Sequence, residues 1–169
     1  MSSDDTTRRL LRHVIATIAY RGSKVLRDAP AGFDTFSLSP STRQPVLIVT
    51  HLGDLMDWAL TAAKAGGTFA WKASGSRGWS DDVRRFFASL AALDEYLASG
   101  QPLGNPAEKL IQGPLADALT HVGQLALLRG AAGAPIRPES YGRADIVAGR
   151  VGIDQAPPRR EFDGDASVT

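Results

Sequence analysis

An all-α fold, a four-helix bundle, is what this sequence predicts, and three observations predict it. Apolar residues recur at spacings of three and four along four separate stretches of the chain. Gly and Pro punctuate the boundaries between those stretches. The β-branched run Val46-Leu-Ile-Val-Thr50 belongs to an apolar pattern that continues well beyond the length of a strand. With 169 residues, 43% of them hydrophobic, the chain has enough apolar surface for one self-sufficient core.

The first helix is expected from about Asp4 to Arg27, with Leu10, Leu11, Val14, Ile15, Ile18, Val25 and Leu26 as its apolar stripe. Asp4 and Asp5 suit the positive end of its dipole, and Asp28-Ala-Pro30 with Gly32 stops it. After a loop, Pro45 opens a second helix through Leu47, Leu52, Leu55, Met56 and Trp58 to about Ala65, closed by Gly66-Gly67. Thr68 to Trp79 reads as a second loop. Ser80 is the expected N-cap of a third helix, whose core face is Val83, Phe86, Phe87, Leu90, Leu93 and Leu97. Asn105-Pro106 begins a fourth helical region, which Gly113-Pro114 either kinks or splits. Its longer part, Leu115 to about Arg129, presents Leu115, Ala118, Leu119, Val122, Leu125 and Ala126 on one face. Residues 1–150 are expected to form the bundle domain, and residues 151–169 a polar, irregular and poorly ordered tail.

Composition removes several function classes. The formal net charge is +1 and the basic residues are dispersed, so no dense cationic surface for nucleic acid is expected. Zero Cys excludes disulfides, thiolate metal sites and a cysteine nucleophile. It fits a reducing compartment, and the polar stretch Met1 to Arg9 is unlike an export signal, so a cytoplasmic location is expected. No run approaches the roughly 20 apolar residues that span a bilayer, so no membrane partner is expected. Gly75-Ser-Arg-Gly78 lacks the Lys-Ser/Thr ending of a phosphate loop. Arg8-Arg9 and Arg84-Arg85 read as solvated helix faces, and Arg143 and Arg150 as tail cations with no assigned place.

The chemistry concentrates in three histidines, His13, His51 and His121, which fall in helices one, two and four. Imidazole suits borderline divalent metals such as Zn²⁺ and Ni²⁺, and bundle cores can collect ligands from facing helices. Asp117 precedes His121 by four residues, so both side chains share a helix face, beside the apolar stripe. His51 flanks the core face of its own helix. Two His and one carboxylate would leave coordination positions open, as catalytic sites do. A hydrogen-bonded structural role accounts for each histidine as well. His13 lies well off its helix's apolar stripe and reads as an additional ligand or an exposed residue. Asp54 and Asp57 read as solvated residues, or as partners that orient a ligand His. Trp58, Trp71 and Trp79 read as pocket lining or as packing.

Two segments carry a family resemblance. Leu110-Ile-Gln-Gly-Pro-Leu-Ala-Asp-Ala-Leu-Thr-His-Val-Gly-Gln-Leu125, with its His-x-Gly-Gln ending, resembles the last helix of the DinB/YfiT-like metalloenzyme superfamily. Thr50-His-Leu-Gly-Asp-Leu-Met-Asp-Trp58 resembles that family's second helix. The resemblance implies a metal held by His51, Asp117 and His121, with His13 as a possible additional ligand. Asp117 stands where the family commonly has His. An Asp ligates the same metals through oxygen, so the site is retained with altered affinity, recruits His13, or is lost. The resemblance further implies thiol S-transferase or hydrolase-like chemistry on a small-molecule thiol or other substrate, and a homodimer. Gln124 would orient a ligand or brace two helices. The alternative is a non-catalytic dimeric bundle, a binding or interaction protein with a decayed metal site.

Overall fold

The computed structural model describes residues 3–162 and is helical, as the periodicity predicts. Helix α1 spans Ser3–Leu26, α2 Pro45–Ala63 and α3 Trp79–Ala98. The fourth helix has a short arm, α4 (Ala107–Leu110), a wide π-helical turn at Ile111–Leu115, and a long arm, α5 (Ala116–Ala131). Around the bundle the neighbours run α1, α3, α2, α5 and back to α1. Among the described residues no β-strand occurs, only an isolated bridge between Glu139 and Glu161.

The core lies where the four apolar stripes meet. Leu11, Ile15 and Ile18 of α1 are fully buried with Val49, Leu52 and Met56 of α2, Phe86 and Leu90 of α3, and Ala118 and Leu125 of α5. Burying each such large side chain contributes about 1.5–3 kcal/mol. Leu10 departs from its expected stripe and is 56% exposed, because the buried face of α1 runs through its neighbour Leu11 instead. The expectation that no stretch is long and apolar enough to span a bilayer fails for α2, which by length and composition could; 61% of that apolar window is buried within the bundle, because it is the core helix.

Helix ends are satisfied by groups other than those expected. Gly78, not Ser80, is the N-cap of α3, held with φ 98°. Asp82, one turn in, reaches back to the Arg77 N–H and the Ser76 hydroxyl, so a carboxylate rather than the Ser80 hydroxyl fixes this end. Asn105 does not cap its own helix. Its side-chain amide donates to the carbonyls of Ala62 and Gly67 at the end of α2. Arg8 and Arg129, at 7% exposure each, cap C-termini from within the bundle. Arg8 donates to the carbonyls of Leu97 and Gln101, and Arg129 to those of Val25 and Arg27. The solvated reading of Arg8 is therefore overturned: its guanidinium enters the interior because two carbonyls and the Asp4 carboxylate meet it there.

The described part of the tail is irregular, as expected, yet it is fastened. Glu139 accepts from Tyr20 at 2.7 Å and from Lys24 at 2.8 Å, and Lys24 also bonds Glu161 at 2.7 Å. Ser23 donates to the carbonyl of Ile153, and Val151 is 7% exposed. With Ile146 and Val147 beside Thr6 and His13, the segment from 146 to 161 runs along α1 as a strap. Residues 163–169 of the expected tail lie outside the described residues.

Candidate metal centre

His51, Asp117 and His121 come together where α2 meets α5. One ligand atom from each lies within 4.8 Å of the others. The turn at Ile111–Leu115 precedes this cluster by two residues. Pro114 has no N–H to continue a regular ladder, and Gly113 adopts a non-helical conformation against the Trp58 ring. A π-turn adds one residue, which rotates all later side chains by about 100° relative to α4. The turn thereby sets the face on which Asp117 and His121 stand.

The geometry is symmetric about the carboxylate. Asp117 Oδ2 lies 3.4 Å from His51 Nε2, and Asp117 Oδ1 lies 3.4 Å from His121 Nε2. Those separations exceed an ordinary N–H···O hydrogen bond, about 2.7–3.2 Å. Each is close to the spacing of two ligand atoms on one tetrahedral ion with bonds of 2.0–2.1 Å, about 3.4 Å, with a different carboxylate oxygen facing each imidazole. His121 Nδ1 is 2.7 Å from Gln124 Oε1. In the neutral form of His121 this N–H is donated and the Nε2 lone pair faces the carboxylate, so two electron-rich atoms point at the same small space. A cation between them relieves the repulsion. The Gln124 side chain thus bonds within its own helix instead of bracing a second one, and it orients the His121 ring.

Exposure and charge fit the same arrangement. The side chains of His121, His51 and Asp117 are 11%, 22% and 45% exposed, so the cluster is walled on the core side and open on the other. Burial first, then the charge of His121, holds the His51 imidazole below its ordinary pKa, with Arg43 adding to the shift and Asp117 opposing it. The neutral imidazole is the form that can ligate. Trp71 packs edge-on against His51, with ring centroids 5.1 Å apart, and Trp58 packs against Trp71 at 5.6 Å. Trp79 takes no part; it packs on Phe33.

Other expected candidates go elsewhere. His13 is exposed on α1 and lines a separate groove with Leu10 and Val147, away from the ligand group. Its position off the apolar stripe puts it on the outer side of the bundle. Neither Asp54 nor Asp57 partners His51; Asp54 is buried, whereas Asp57 keeps half of its side chain in solvent. Arg85 Nη2 lies 2.6 Å from Asp54 Oδ1 and 2.6 Å from Asp57 Oδ2, and Asp54 also accepts from the Ser74 N–H and hydroxyl. The solvated reading fails for Arg85 as well, since its side chain is 14% exposed between these carboxylates. Arg150 is bound to Asp145 in the tail. Trp71 packs beside the site, one of its two expected readings, and Arg43 is the neighbour to which the sequence assigns no role. Arg43 carries one local signal, its place two residues ahead of α2 and eight residues before His51.

The three residues thus form a group able to hold a metal ion, and their donor chemistry fits one. Compared with protein families, with curated proteins and with solved structures, the chain gives no match, so this geometry and the two motif-bearing helices carry the functional reading.

Proposed function

We propose that this chain is a divalent-metal-dependent enzyme, with Zn²⁺ or Ni²⁺ held by His51, Asp117 and His121, acting in thiol S-transfer or hydrolysis. The observation that carries the reading is the convergence of three ligand atoms within 4.8 Å, with the far nitrogen of His121 already anchored on Gln124. Two imidazoles and a carboxylate are the donor set that borderline divalent ions favour, and three protein ligands leave a position for substrate. When bound, such an ion acidifies a thiol or water near neutral pH.

The chain's own residues set up that chemistry. Gln124 keeps the His121 proton on Nδ1, so Nε2 remains a donor of electrons. Burial favours the neutral His51 imidazole. Asp117 brings one negative charge, which lowers the net charge of a loaded site and moderates its acidity relative to a neutral third ligand. Trp71 walls one side against water.

Elemental analysis of the purified protein, repeated on His51→Ala and His121→Ala, tests this. The expected outcome is about one metal per chain, lost in both variants. No uptake after incubation with Zn²⁺, Ni²⁺ or Mn²⁺ would overturn the reading and leave a helical bundle that works by binding alone.

A further inference from the structure

A groove of ≈ 360 Å³ opens beside the ligand cluster and shares His121 and Gln124 with it. Small-molecule pockets run from about 300 to 1,000 Å³, so this one suits a compact ligand. Its apolar wall is Leu38, Ile48, Leu127 and Leu128. Leu127 is 68% exposed and Leu38 53%, so these side chains face water beside the groove instead of filling the core. His121, Gln124 and Leu128 stand at i, i+3 and i+7 on α5, so the groove follows that helix for about 10 Å. Thr42 and Arg43 complete its lining. Arg43 has no hydrogen-bond or ion-pair partner among the described residues, whereas Arg12 and Arg85 are each locked to carboxylates.

We propose that this groove takes an amphipathic monoanion, a carboxylate on an apolar chain of medium length, with its head on Arg43 and its chain along Ile48, Leu127 and Leu128. Arg43 offers a fork of donors matched to one carboxylate. A cationic head would meet that charge directly. A polyphosphate would need several cations, and the groove's lining includes one arginine and no lysine. The assignment deepens the metal-centre reading by naming a substrate class, and rests on it for the end of the ligand that reacts.

The test is a titration followed by backbone amide NMR shifts, with octanoate, butyrate, octanol and octyltrimethylammonium as probes. It uses the wild-type chain, Arg43→Ala and Leu127→Asp, each with and without Zn²⁺, and zinc content is measured in parallel. Octanoate should shift Arg43, Gln124 and Leu128 and bind most tightly, with affinity rising about fourfold per methylene from butyrate. Arg43→Ala should weaken octanoate about fivefold and leave octanol unchanged. Leu127→Asp should abolish the shifts. Both positions are exposed, so both variants should fold and keep their zinc. Equal binding of octanol and octanoate, an unaffected Arg43→Ala, or shifts mapping outside the groove would each overturn the proposal. Octanoate binding by a chain that takes up no zinc supports the groove and overturns the metal centre. Zinc uptake without octanoate binding does the reverse.

Discussion

Helix α2 carries two groups of ionisable side chains about one turn apart, and they follow opposite rules. Around Asp54 and Asp57 every charge is answered from within the chain. Arg85 bonds both carboxylates, Ser89 donates to Asp57, and Ser74 donates twice to Asp54. Around His51 the facing groups are a second imidazole and a carboxylate 3.4 Å away, with Arg43 nearby, and none of them closes a short hydrogen bond on it. A closed network stabilises a conformation; ligand atoms gathered just beyond hydrogen-bond reach suit a metal ion. The two are also linked. The Asp54 and Asp82 carboxylates tie down Ser74, Ser76 and Arg77, in the loop whose Trp71 packs on His51. The satisfied group thus supports the one that works.

The comparison breaks most sharply at Asp117. Asp117→Ala should reduce metal content from about one ion per chain to background, while Asp117→His should keep the ion; metal analysis reads both. Retention in Asp117→Ala would mean that the carboxylate is a bystander. The next largest effect lies in the other group. Arg85→Ala strands the buried Asp54, and breaking a buried pair from one side costs about 3–5 kcal/mol. The half-exposed Asp57 adds little to that, so the lower end is expected by denaturant unfolding, with zinc content unchanged.

Smaller effects sharpen the contrast further. Gln124→Ala should lower metal affinity about 10- to 100-fold and barely alter unfolding, since it touches the orientation of His121 alone. A competition titration with a zinc-binding dye would measure it. The smallest effect is in pH. Burial pushes the Asp54 carboxyl up, but the Ser74 N–H, the Ser74 hydroxyl and Arg85 outweigh it and hold the group below its ordinary value. The resulting stabilisation is complete above the unfolded pKa of about 3.9 and drains away as pH falls through it towards the folded value. Asp54→Asn should therefore flatten the acid limb of the stability curve below about pH 4; a limb as steep as that of the wild type would remove Asp54 from the account.

What the sequence made legible was periodic or local. The four helices followed from apolar spacing, and Asp117 with His121 from a separation of four residues. That His51 meets them depends on how α2 crosses α5 and on the added residue at Ile111–Leu115, which Gly113-Pro114 signals only as a break. The Asp54–Arg85 network stayed hidden because its members look like solvated residues until the loop carrying Ser74 folds over them. Arg8 and Arg129 were opaque for a related reason. Their partners are carbonyls at the ends of other helices, and a carbonyl leaves no mark in composition. Asn105 looked like a cap for the helix that follows, and its amide instead closes the helix before.

The strap along α1 bears on how the chain comes to be folded. Tyr20 and Lys24 find their partners 119, 115 and 137 residues further along. Of the four helices, the earliest in the chain is thus the one completed last. Until Glu139 and Glu161 have been synthesised, the outer side of α1 waits uncovered, with Lys24 and the Tyr20 hydroxyl unmatched. Contacts this distant in sequence are slow to close. Nascent chains halted shortly after α5 should hold the four-helix core while leaving this flank open to proteases and chaperones, and synthesis through Glu161 should convert it to the resistant form.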